Sequence, residues 1–285
     1  MKLVTWNIQW GLGCDGRVDL KRIVETARSL CDADVFCFQE ISRGFPTQDG
    51  GEDQPTILAD LLPGYYPIFR PAVEMIDRDG GLQVFGNMIL SRLPVLQITS
   101  HMLPWPADEV RSMQRQALEA VVVSDLGPIR VTTCHLEFHS LTQRVAQVGR
   151  LRELHEEGTK RGRLMFRDKS SGPYRTIEAP VGAIICGDFN LTPDEVTYTQ
   201  MQKPLSSGIP AFVDAWTVLH PGAPHDPTAG VGDAEQWPQG PHCRDFVFVS
   251  EDLAPRIADI CVDVNTTASD HQPIALTLSA RPRPL

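Results

Sequence analysis

Apolar and polar positions alternate between two rhythms along the chain, and the change of rhythm predicts the elements. From Asp19, a candidate N-cap, Leu20, Ile23, Val24, Ala27 and Leu30 recur at helical spacing while Lys21, Arg22, Glu25 and Arg28 face away. Leu3 to Trp6 alternates weakly and predicts a first strand, and the short apolar runs at Val35 to Phe38 and Val181 to Cys186 predict buried ones. Tyr65 to Arg70, Val84 to Leu90, Val95 to Met102, Gln116 to Val123 and Ile129 to Leu136 read as successive strands, joined by short turns and paired antiparallel. Ser140 with Gln143 predicts a capping box opening a helix through Leu141, Val145, Val148, Leu151 and Leu154. Thr192, Pro193 and Glu195 carry the same signals, so a helix is expected from Thr192. A short helix is expected near Thr56 to Leu62, with residues 42 to 54 as a loop ahead of it. Phe246 to Val249, Ile257 to Val264 and Ile274 to Leu278 complete the strands, after a Pro/Gly/His-rich loop from His220 to Pro241.

At 285 residues, with no Pro/Gly/Ser-rich linker dividing it, the chain reads as one domain over 1–285. No run approaches the roughly 20 apolar residues of a membrane span, and no leader pattern precedes the first strand. A cytoplasmic protein without a membrane anchor is expected, and no protein partner is evident. The seven cysteines are odd in number, and Cys37, Cys134 and Cys186 sit in apolar runs, which suits reduced core thiols. A net charge of -10 argues against a protein that coats nucleic acid, but not against one that meets it with a local face. Residues 159–180 are the basic exception: Lys160, Arg161, Arg163, Arg167, Lys169 and Arg175 stand against Asp168 and Glu178. This stretch reads as a basic insertion, with a hairpin around Ser170 to Pro173.

The chemistry lies where the apolar runs stop. Asn7, Glu40, His135, Asp188, Asn190, Asp245, Asp270 and His271 each stand at the end of a predicted strand or beside one. Asp188 and Asn190, two residues apart, fall on one side of an extended chain. One such residue is an ordinary cap, but eight in equivalent positions point to convergence. Buried together, the carboxylates would repel unless a cation sat among them. An all-oxygen donor set suits Mg2+ or Mn2+, hence phosphate-ester chemistry. A zinc site on His135 and His139 is disfavoured, since that pair lies at a strand end rather than on a helix. His225 and His242 fall in the long loop expected to roof the site.

Trp6-Asn7-Ile8-Gln9, Gln39-Glu40, Gly187-Asp188-Phe189-Asn190, Arg244 to Ser250 and Ser269-Asp270-His271-Gln272-Pro273 resemble, in order, the motifs of the endonuclease/exonuclease/phosphatase superfamily, the DNase I-like fold. The resemblance implies an α/β protein, a four-layer α/β/β/α sandwich of two packed mixed β-sheets. It implies Glu40 as metal ligand with Asn7 and Asp270 close by, and Asp188 activating or orienting water. Asn190 and Arg115 would hold the substrate phosphate, Asp245 would orient His271, and His135 is a candidate acid for the leaving oxygen. Gln9 stands where one branch carries an acid, which bears against a second metal. The activity implied is metal-dependent phosphodiesterase or nuclease action on a phosphate ester such as DNA or RNA. A lipid or inositol phosphate and a non-catalytic binding protein are the alternatives. Neither a basic amphipathic helix nor an aromatic-studded basic groove is visible to choose among them.

Overall fold

The computed structural model describes residues 1–164, 172–178, 180, 182–206 and 208–282. Two six-stranded sheets face each other. One runs β11-β12-β1-β2-β4-β3 and the other β5-β6-β7-β8-β10-β9. The first is built from β1 (Lys2–Asn7), β2 (Val35–Arg43), β3 (Tyr66–Ile76), β4 (Leu82–Ser91), β11 (Ile257–Val262) and β12 (Ile274–Leu278). The second holds β5 (Val95–Met102), β6 (Gln116–Ser124), β7 (Gly127–His135), β8 (Ala183–Asp188), β9 (Phe212–Asp214) and β10 (Asp245–Ser250). Each sheet is mixed, with one parallel pair, β1 with β2 and β7 with β8.

The two-residue period of the strands decides what lies between the sheets. Leu3, Val35, Cys37 and Ile89 meet Leu118, Val131, Ile184, Cys186 and Val247 in the inter-sheet core. The alternate residues Val4, Trp6, Phe36 and Phe38 pack outward against α1 (Leu20–Leu30) and α2 (Gln54–Leu61). Ala183, Ile185 and Phe248 pack outward with Val148 and Leu151 of α3 (Leu141–Gly162) and Met201 of α4 (Val196–Met201). The layers are therefore helices, sheet, sheet, helices, as the resemblance implies. A short α5 (Ala215–Leu219) follows β9.

The caps account for the helix starts. Asp19 accepts from the Arg22 backbone N–H, Asp53 from that of Thr56 and Ser140 from that of Gln143. The capping box at Ser140 is only half made, because the Gln143 side chain donates instead to the Pro106 carbonyl and the Ser112 hydroxyl. Thr192 does not open a helix: α4 begins at Val196 with Glu195 as N-cap. The Glu195 carboxylate does accept from the Thr192 N–H, so the reciprocal pair closes a turn ahead of the helix.

Three further expectations change. β4 and β5 are near in sequence but do not pair, because the connection between them crosses from one sheet to the other. β2 continues through Glu40 to Arg43, shortening the expected loop, and β3 runs on to Ile76. The start of the basic stretch, residues 159–162, is the last turn of α3 rather than part of a hairpin; of the expected hairpin around 170–173, Ser170 and Ser171 lie outside the described residues, as does Val181, and Gly172 to Tyr174 form a single 3-10 turn. All seven cysteines are free thiols, and no helix of the described residues is long and apolar enough to cross a membrane.

Candidate active site

The inter-sheet face that carries Leu3 on β1 carries Asn7 at that strand's end, by the same period of two. On β8 the residues that follow Ile184 and Cys186 on that face end in Asp188. On β7, Ile129 and Val131 lead to His135, and on β10, Val249 and Val247 lead back to Asp245, which lies opposite Asp188 in the register. Four strands of two sheets thus deliver polar side chains to one edge. The Asn7 amide bridges the sheets, donating to Asp188 Oδ2 at 2.9 Å and to Glu40 Oε1 at 3.0 Å.

Glu40 does not obey that period. Val35, Cys37 and Gln39 occupy the inter-sheet face, so an unbroken strand would turn Glu40 outward towards the helices. A bulge between Phe38 and Ile41, with Glu40 at φ 63°, re-aims it into the site. The sequence reading put Glu40 at a strand end; the strand instead carries it mid-length on this kink.

A second departure lies after β8. Asn190 adopts φ 51°, so the chain is not extended through it, and its amide donates to the Leu136 carbonyl. Gly187, at φ 132°, lets the strand approach β7 so closely that a Cβ there would lie 2.1 Å from the Cys134 carbonyl oxygen. Asp188 Oδ1 accepts from the Asn190 N–H at 2.8 Å.

Asp245 Oδ2 lies 2.8 Å from His271 Nδ1, and His271 Nε2 lies 3.8 Å from Asp188 Oδ2. His135 Nε2 approaches the same Asp188 oxygen at 3.4 Å. Burial works against a charge on His271, but Asp245, Asp270 and Asp188 around it raise its affinity for a proton well above the imidazole range. His135 goes the other way, down to about 3, through burial and the nearby Arg115. Burial and the charge of Asp270 push Glu40 up to about 7. Burial also raises Asp245, whereas at Asp188 the charge of His271 and the hydrogen bonds from Asn7 and the Asn190 backbone outweigh burial and hold it ionised.

These groups open on a cleft of about 710 Å³, the size of a small-ligand pocket. Arg115 lines it as expected. Its Nε donates to the buried Glu137 at 3.1 Å, and its Nη1 has no hydrogen-bond partner among the described residues. Asp270 lines it too, with Oδ2 accepting from Gln236 Nε2 at 2.8 Å and from Trp237 Nε1 at 3.0 Å. The long loop therefore covers the site with Gln236 and Trp237, not with its histidines: His225 pairs with Asp214 at 2.6 Å and His242 with the Gly240 carbonyl at 2.7 Å. Glu137, Gln236 and Trp237 escaped the sequence reading. An isolated Trp in a Gly/Pro-rich loop was the one local signal.

The donors fit a hard cation. Glu40 and Asp270 offer carboxylate oxygens in one buried pocket and repel each other there, a repulsion a divalent ion would relieve. The Asn7 amide directs its nitrogen, not its oxygen, at Glu40, while Oδ1 accepts from the Gln9 N–H. Asn7 thus braces the carboxylates, and ligation through Oδ1 would require the amide to turn over. Ligand atoms of Asp188, Asp245 and His271 also lie within 4.8 Å of one another, but the Asp245 to His271 hydrogen bond already engages two of them.

Solved structures share this architecture. An endonuclease/exonuclease/phosphatase from Beutenbergia cavernae DSM 12333 superposes with a TM-score of 0.69 at 22% identity, over 98% of this chain and 72% of the other. A mannosyl-6-phosphatase from Bacteroides thetaiotaomicron VPI-5482 gives 0.63 at 17% identity, over 98% and 99%. A 3' phosphatase from Neisseria, bound to a product DNA hairpin, gives 0.62 at 17% identity over the same shares. Comparison with curated protein sequences gives no match. The family model described as Endonuclease/Exonuclease/phosphatase family matches residues 4–271, spanning every strand that feeds this edge except the last, and the chain belongs to that family.

Proposed function

We propose that the chain hydrolyses phosphate esters, phosphodiesters foremost, using Mg2+ or Mn2+ held by Glu40 and Asp270. One observation carries this: the line Asp245, His271, Asp188 opens into the same cleft as Glu40 and Asp270. When bound, the ion would polarise a phosphoryl oxygen and offset charge in the transition state. Asp188, held by hydrogen bonds from Asn7 and the Asn190 backbone, orients an attacking water and accepts its proton. Asp245 fixes the ring of His271, whose protonated Nε2 faces the phosphoryl group. His135 is neutral near pH 7, so it offers an N–H hydrogen bond rather than a proton to the leaving oxygen. Arg115 Nη1 and the Asn190 amide complete the phosphate contacts. That two fold relatives carry the printed names mannosyl-6-phosphatase and 3' phosphatase supports phosphate-ester chemistry.

The test runs wild type and Asp188→Asn on bis(p-nitrophenyl) phosphate and on supercoiled plasmid, with magnesium and then with EDTA. The proposal expects hydrolysis of bis(p-nitrophenyl) phosphate that needs the metal and falls by about 10² to 10⁴ in Asp188→Asn, with little change in the melt, and the plasmid tells whether nucleic acid is also cut. Wild-type rates in the variant, or activity indifferent to EDTA, would sink it.

A further inference from the structure

The cleft has a second wall unlike its acidic floor. β2 pairs with β4 only as far as Arg43 opposite Val84, so residues 75–76 and 82–83 run on as a two-stranded ribbon beside the cleft. Just ahead of it, where β2 still pairs with β4, Val73 lies opposite Phe85, so both project from one face, and Met75, two residues on and within the ribbon, shares it. All three line the cleft, as do Phe45 and Met113. Met75 is 47% exposed and Val73 half-buried, while Phe85, 8% exposed, forms the base beneath them, so an apolar wall opens to solvent beside the buried carboxylates.

Charge points the same way. The cleft lining holds Arg111, Arg115 and the protonated His271 against Glu40, Glu137, Asp188 and Asp270, and Glu137 already engages Arg115. A polynucleotide gains its affinity from many Lys or Arg contacts to successive phosphates, which this lining does not supply. The described start of the basic stretch, Lys160 to Arg163, does not make up the deficit. α3 starts beside the cleft residue His139, and its 22 residues carry Gly162 about 33 Å away. The strand that resumes the chain, β8, ends rather than begins at the site.

We infer that this wall receives an apolar substituent, an alkyl chain or an aryl ring, on the phosphate ester that the floor hydrolyses. The inference rests on the hydrolytic reading for the reaction but not for the binding. One phosphate group meets Arg115 and the bound cation, and the rest of the molecule removes the faces of Val73 and Met75 from water. Duplex or single-stranded nucleic acid is a poor fit to the same surface.

The experiment compares octylphosphonate, phenylphosphonate and methylphosphonate, none of them a hydrolysable ester, in the presence of Mn2+. Quenching of Trp10 and Trp237, which line the cleft, reads binding. Octylphosphonate or phenylphosphonate should bind at least tenfold more tightly than methylphosphonate, a factor that burial of about two methylene groups supplies. Which of the two leads distinguishes a chain from a ring. In the double variant Val73→Ser, Met75→Ser the preference should shrink several-fold while methylphosphonate binding stays put. In parallel, p-nitrophenyl octyl phosphate should exceed p-nitrophenyl methyl phosphate in kcat/KM, and plasmid should not be nicked. Equal binding of the three phosphonates overturns the inference whatever the enzyme hydrolyses, and so does a preference that survives the double variant. If light scattering then shows a dimer that the double variant dissociates, the ribbon is an interface between two copies. Apolar preference in binding with no turnover of any ester sustains the inference and defeats the hydrolytic reading instead.

Discussion

Acidification should unfold this protein in part through a histidine remote from the cleft. His155 on α3 is 4% exposed, with Nδ1 2.8 Å from an Arg130 guanidinium nitrogen and Nε2 2.9 Å from the Pro210 carbonyl oxygen. This geometry is satisfied by one tautomer, Nε2–H donating to Pro210 and Nδ1 accepting from Arg130. A second proton on Nδ1 would face a cation in a buried site. Burial first and Arg130 second lower its pKa from 6.5 to about 4. The folded pKa lies below the unfolded one, so between these values the unfolded chain binds more protons and stability falls as pH falls. The shift corresponds to about 3 kcal/mol, fully lost below pH 4, of which about 2 kcal/mol is lost by pH 5. Urea unfolding of wild type and His155→Gln between pH 4.5 and 7.5 measures it. The variant should be less stable at pH 7, yet wild type should lose about 1.4 kcal/mol more than the variant for each pH unit below 6.5. Parallel stability curves for the two proteins would refute the reasoning, because the lost proton linkage is the only term the difference isolates.

Other substitutions probe the devices that build the site. Gly187→Ala should abolish cooperative folding in a thermal melt, since its Cβ would meet the Cys134 carbonyl oxygen, whereas Gly222→Ala, equally at positive φ but with open space around it, should cost only about 1 kcal/mol. Glu137→Ala leaves the buried Arg115 uncompensated and should destabilise by about 3 to 5 kcal/mol in urea titrations. Trp237→Phe removes the N–H that holds Asp270 while keeping most of the ring; it should raise the metal concentration for half-maximal activity several-fold with little change in the melt. An unchanged metal requirement would remove Trp237 from any part in holding that carboxylate.

What the linear chain determined on its own is everything that depends on neighbours in sequence. The apolar runs that became β1, β8, β10 and β12, the helical stripe from Leu20 and the cap at Asp19 were legible because strand period and capping are local properties. The same period of two carried Asn7, His135, Asp188 and Asp245 to one face of their strands, so much of the candidate site could be listed before the fold was known. The basic stretch was visible as composition, but that Lys160 and Arg161 stand far from the cleft required the length and direction of α3. Glu40 shows where local reasoning stops: its strand does not end at it, and only a bulge imposed by pairing with β4 turns it inward. The Glu195 side chain closes a turn rather than a capping box, because the chain leaving β8 must first clear the edge of the sheet where Asn190 sits left-handed. Glu137 beneath Arg115 and the two loop donors on Asp270 come from segments separated by 22, 33 and 34 residues, pairings decided by tertiary approach alone. The apolar wall is of the same kind, since Val73, Met75 and Phe85 alternate like any strand residues, and only the packing of the two sheets sets that face beside the carboxylates.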